Sequence, residues 1–93
     1  MESRPKVSFL RVLLMAPNSQ ENVGLGSAVR ELRAANGLTQ QELGLKAALD
    51  RTYLGGVERG ERNPSFECLL KIAAALEVSL SELIAHGERL TDQ

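Results

Sequence analysis

Arg51, Thr52 and Tyr53 stand consecutively in this sequence, and Gln40 precedes them by eleven residues. Their chemistry suits a nucleic-acid duplex. A guanidinium can donate two hydrogen bonds to guanine, and a threonine can hydrogen-bond a base edge or touch a thymine methyl. A glutamine beside free backbone amides at a helix start can seat a phosphate. Other chemistries lack their groups. The chain has one cysteine, Cys68, and one histidine, His86. No disulfide framework, cysteine cage or multi-histidine zinc site can be assembled from these. No nucleophile stands with a matching base, and Gly24-Leu25-Gly26 is too little to cradle phosphates. No enzyme activity, metal, cofactor or small-molecule ligand is therefore expected. Cys68 reads as inert packing, and His86 as a surface residue near a helix C-terminus.

The elements that must carry these residues are legible from their caps. Thr39 is a good N-cap, Glu42 completes a capping box, and Leu38 and Leu43 form a hydrophobic staple. Asp50 caps a second helix, with Leu49 and Leu54 as its staple. Ser79 and Glu82 repeat the capping box, between Val78 and Leu83. Pro64-Ser65 opens a helix whose apolar face is Phe66, Leu69, Leu70, Ala73 and Leu76. Upstream, Leu25, Val29 and Leu32 follow a helical stripe that Asn36-Gly37 stops. The predicted helices span 25–35, 39–46, 50–58, 65–76 and 79–86. Only a short Ala-Ala-Leu turn separates Lys46 from Asp50. Helices joined so tightly cross steeply, as in a helix-turn-helix, and Gly44 supplies a small residue for the close approach. Arg51, Thr52 and Tyr53 then occupy the N-terminal end of the second helix, the end that a recognition helix points at bases.

The chain has 93 residues, 43% hydrophobic and 25% charged, values of one globular domain. Leucine and alanine dominate the apolar set and favour helix. No apolar run is long enough to span a membrane. The net charge is −1, but it is unevenly distributed. Residues 1–24 and 25–66 each carry an excess of one positive charge, and residues 67–93 an excess of three negative charges. The acidic third is expected to face away from a nucleic acid. Pro5 and Pro17 bracket an apolar run, Val7–Met15, whose spacing suits either a helix or a strand. Arg11 splits that run and no small-residue cleavage site follows, which argues against a secretory signal. These residues read as an arm that packs on the domain or on a partner subunit. The expected division is an arm (1–24), a helical domain (25–86) and a tail (87–93). Leu80, Leu83, Ile84 and Leu90 are more apolar than one terminal helix needs, and they are expected to form an isologous dimer interface. A lone thiol suits the cytoplasm.

The run Gly37-Leu38-Thr39-Gln40-Gln41-Glu42-Leu43, then Asp50 to Gly60, then Arg62-Asn63-Pro64-Ser65, resembles the phage-repressor-like helix-turn-helix family of the Cro/C1, or XRE, type. The likeness continues through Leu69-Leu70-Lys71-Ile72-Ala73 and Val78 to Leu83, and covers residues 25–84. Arg51-Thr52-Tyr53 followed by Gly56-Val57-Glu58-Arg59-Gly60 is also similar to the controller proteins of restriction–modification systems. The resemblance implies an all-α, compact five-helix, lambda-repressor-like domain. It implies a homodimer that binds double-stranded DNA at a pseudo-palindromic operator and regulates transcription. It maps DNA contacts onto Gln40, Arg51, Thr52, Tyr53, Arg59, Arg62 and Asn63, and a structural ion pair onto Arg30 and Glu58. Two positions depart from the pattern: Ala48 stands where the family often has glycine, and Gly55 where many relatives carry a polar side chain. An interaction module that reuses the fold without reading DNA is the alternative, favoured by the acidic balance and by Gly55.

Overall fold

The computed structural model describes residues 6–16 and 18–91, with side chains from Phe9 onward. Six helices follow one another among the described residues: α1 (Lys6–Met15), α2 (Gln20–Ala35), α3 (Gln40–Ala47), α4 (Arg51–Glu58), α5 (Phe66–Ala75) and α6 (Leu80–Thr91). No strand occurs among the described residues. The all-α class stands, with six helices in place of five because the N-terminal apolar run is itself a helix.

The predicted caps form as hydrogen bonds. Thr39 Oγ1 accepts from the Glu42 amide while Glu42 Oε1 accepts from the Thr39 amide at 2.8 Å. Ser79 and Glu82 repeat this pair. Asp50 accepts from the Thr52 amide. Ser65, at a predicted helix start, adds an unpredicted cap by accepting from the Cys68 amide. These backbone donors hold the Glu42 and Glu82 carboxyls below the usual glutamate range, with the cap hydroxyls adding to the effect. A further cap lies upstream. Ser19 accepts from the Asn22 amide, so α2 starts five residues before the predicted Leu25. Gly24 and Gly26 thin the helical signal there, and packing explains both. A Cβ on Gly24 would collide with Gly87 and Thr91 of α6, and one on Gly26 with the Val57 and Glu58 carbonyls of α4.

α2 packs most extensively on α6 and also against α4 and α1. Phe9 and Leu13, one turn apart on α1, are fully buried with Leu25, Val29, Leu54 and Leu83. The N-terminal segment is thus part of the core. The expected boundary at 24/25 falls inside α2, and the one at 86/87 falls inside α6. On α5 the buried stripe is Leu69, Ile72, Ala73 and Leu76, while Phe66 and Leu70 are exposed.

The α3–α4 crossing depends on two small residues. A Cβ on Gly44 would lie 2.9 Å from the Leu49 carbonyl oxygen. Ala48 caps α3 in the left-handed conformation, φ 56° and ψ 44°. An L-residue there costs about 1–2 kcal/mol, which glycine would avoid.

Candidate nucleic-acid interface

α4 turns Leu54 and Val57 into the core and leaves Arg51 and Thr52 exposed on its first turn. Tyr53 lies between these two environments. Its ring packs against the core, and its hydroxyl donates to the Asn63 carbonyl at 3.4 Å. Burial, reinforced by the neighbouring Cys68 thiol, pushes the phenol up to about 12, against the opposing pull of the Ser65 backbone and Arg62. Cys68 is half-buried beside this ring.

The two glycines of α4 seat arginines. A Cβ on Gly55 would stand 3.2 Å from Arg59 Nη1 and 3.6 Å from Gln40 Oε1. One on Gly56 would stand 2.6 Å from Arg62 Cγ, so the Arg62 stem lies directly over that glycine. Gln40, Arg51, Thr52, Gly55 and Arg59 together line an open depression of about 280 Å³. Arg59 Nε pairs with Glu61 Oε1 at 3.0 Å, both side chains half-exposed.

Beneath this face lies Glu58, whose side chain is 1% exposed. The expected Arg30–Glu58 pair is present, but Arg33 is the closer partner. Arg33 Nε donates to Glu58 Oε2 at 2.6 Å and Arg33 Nη2 donates to Oε1 at 3.0 Å. Arg30 Nε pairs with the carboxylate at 4.0 Å, and Arg30 Nη2 donates to the Glu58 backbone carbonyl at 3.0 Å. Arg33 is enclosed because its third donor is also satisfied, by the Leu38 carbonyl at 2.9 Å. Contact with Glu58 holds the Arg33 guanidinium more firmly in its charged form. No sequence signal separated the two arginines, since they lie about one turn apart on α2.

The remaining expected residues divide. Arg51, Thr52, Arg59 and Arg62 reach the exposed face. Gln40 borders it, but its Nε2 is engaged by Glu58 Oε1 at 2.9 Å, so it is not a free phosphate donor. Asn63 turns inward, with Nδ2 donating to the Leu14 carbonyl at 3.2 Å. Of the four residues expected at a dimer interface, Leu83 is fully buried and belongs to the core. Leu80 and Ile84 line an apolar groove of about 440 Å³ with Leu10, Ser81, Ala85 and Glu88. Leu90 borders a separate depression beside Gln20 and Thr91. His86 is not free at the surface: it joins Glu31 of α2 at 3.0 Å and Arg89 at 3.2 Å.

Two short helices crossing at a left-handed turn, the second carrying exposed Arg51 and Thr52, define a helix-turn-helix protein. A helix-turn-helix family model matches residues 29–83. The control protein C.SmaI of Serratia marcescens is 42% identical over 60 residues, covering 64% of this chain and 71% of that protein. Two solved structures are also similar. The restriction–modification controller protein C.AhdI from Aeromonas hydrophila has 48% identity and a TM-score of 0.69, over 70% of this chain and 98% of that one. The clp gene regulator ClgR from Corynebacterium glutamicum has 30% identity and a TM-score of 0.73, over 76% of each chain. This chain belongs to the Cro/C1-type, or XRE, helix-turn-helix family, whose members regulate transcription by binding DNA. No helix among the described residues is long and apolar enough to cross a membrane.

Proposed function

We propose that the protein is a sequence-specific transcriptional regulator acting as a homodimer on a pseudo-palindromic operator, with α4 in the major groove. One observation carries this reading: the exposed face of α4 presents Arg51 and Thr52 and is flanked by the Arg59 and Arg62 side chains. The one carboxylate of α4, Glu58, is buried and already paired, so it does not oppose those cations. Arg51 and Thr52 supply base reading, while Arg59 and Arg62 supply backbone contacts. Gly55 adds no side chain, which leaves room for the Arg59 guanidinium over that turn of the helix. The groove lined by Leu80, Ile84 and Leu10 provides an isologous surface for a second copy. Half-sites then lie about 34–36 Å apart, or a multiple of that.

Selection from a random duplex pool against the purified full chain tests this reading. Enrichment of an inverted repeat is expected. Arg51→Ala should relax one position in each half-site, a loss of about 1–3 kcal/mol of discrimination. If a folded protein enriches no motif at low salt, the reading fails in favour of a protein-interaction module.

A further inference from the structure

α1 lies outside the span that the family model matches, which begins at Val29. Its last turn is nevertheless tied to the DNA-facing side of the molecule. The final carbonyls of a helix have no intrahelical donors and need others. Two asparagines supply them here: Asn22 Nδ2 donates to the Ala16 carbonyl at 2.6 Å, and Asn63 Nδ2 to the Leu14 carbonyl at 3.2 Å. Asn22 belongs to α2, beside α1 in sequence. Asn63 lies 49 residues from Leu14, in the loop that carries Arg59 and Arg62. That loop is gripped from a second side, because the Tyr53 hydroxyl of α4 donates to the Asn63 carbonyl. Asn63 Oδ1 is buried and accepts no hydrogen bond among the described residues. The Leu14 bond is therefore the amide's anchor among them.

We infer that Asn63 is a positioning residue: it joins the C-terminal turn of α1 to the loop after α4 and so holds Arg62, the residue before it, in place for the DNA backbone, whereas Arg59 is fixed by α4 itself through its amide bond to the Gly55 carbonyl. α1 thereby becomes a determinant of DNA affinity without touching DNA. This inference rests on the reading of α4 as the DNA-facing helix. The effect it implies has a distinct signature. Each phosphate contact releases counterions, so losing one of them lowers the salt dependence of binding by about one unit in log K against log salt. Base discrimination by Arg51 and Thr52 is kept, because Leu54, Val57 and Glu58 anchor α4 independently of the loop.

The experiment measures the affinity of the full chain for a random-sequence duplex across a salt series. It compares wild type, Asn63→Ala, Arg62→Ala and the double variant. Asn63→Ala should lose about one unit of slope, and the double variant should match Arg62→Ala. A wild-type slope in Asn63→Ala overturns the inference. So do additive losses in the double variant, which would make Asn63 a DNA contact in its own right. Asn63→Ser, which keeps a short polar group, replaces Asn63→Ala if the alanine variant melts below the assay temperature. A wild type that binds no duplex in a salt-dependent way overturns the DNA-binding reading and this inference with it. A normal wild-type slope that Asn63→Ala leaves unchanged overturns the inference alone.

Discussion

Glu58 receives two nitrogens of the Arg33 fork, while Arg30 hydrogen-bonds its backbone carbonyl and pairs with the carboxylate only at 4.0 Å. The two arginines should therefore respond differently to removal. Arg33→Ala leaves a buried carboxylate without its main partner and is expected to cost about 3–5 kcal/mol. Arg30, with a side chain 54% exposed, should cost about 1 kcal/mol or less as alanine. Urea unfolding of both variants checks this, and equal losses would refute the assignment. Tyr53 offers a second test. Its phenol is pushed up to about 12, so the fold favours the neutral form. The stability this gives is complete below the ordinary tyrosine value, about 10, and is lost as pH rises through the folded one. Absorbance titration should place the native phenol near 12 and the denatured one near 10; a native midpoint near 10 would contradict its burial. The exposed residues of α4 were legible in the sequence, because a cap and a helical period fix which side they face. The closer partner of Glu58, Arg33, was not, since Arg30 and Arg33 share nearly one face of α2. The inward turn of Asn63 was not legible either, because Leu14 lies 49 residues away and leaves no local pattern.

At the scale of elements, caps governed what could be read. Thr39, Asp50 and Ser79 each place a side-chain acceptor beside amides a few residues away, and all three caps form. Ser19 went unread because Asn22 stands where a glutamate or glutamine would complete a capping box, and because two glycines follow. Those glycines answer to neighbouring helices, a requirement that only tertiary structure reveals. Gly55 differs from Gly26 in the same respect. A Cβ on Gly26 meets backbone, whereas one on Gly55 meets the side-chain end of Arg59. Gly55→Ala should thus raise stability by up to about 1 kcal/mol through helix propensity. The same change displaces the Arg59 guanidinium, so affinity for the selected operator should fall. Thermal melting and a binding titration on one preparation separate the two effects. A variant that is more stable and binds equally well would show that the Arg59 position over Gly55 has no part in DNA binding.

At the scale of the molecule, the added helix changes what the domain is. Phe9 and Leu13 fill the same core as the helix-turn-helix, so Phe9→Ala is expected to cost about 3–5 kcal/mol, a large share of a typical domain's stability of about 5–15 kcal/mol. The N-terminal run gave no decision between helix and strand, since Phe9 and Leu13 satisfy both periods; burial against α2 and α6 decides for helix. Self-association is tested through the groove between α1 and α6. Ile84→Glu places a charge in that groove without disturbing Leu83, and sedimentation equilibrium should report a monomer with unchanged helical content. A persistent dimer would move the interface elsewhere. One further consequence follows from the single aromatic hydroxyl at the α4–loop seam. The chain has no tryptophan and one tyrosine, so its intrinsic fluorescence comes almost wholly from Tyr53. That emitter lies against the loop tied to α1 and one residue from Thr52. Docking of the loop and arrival of a duplex thus both report through one optical signal, with no label attached.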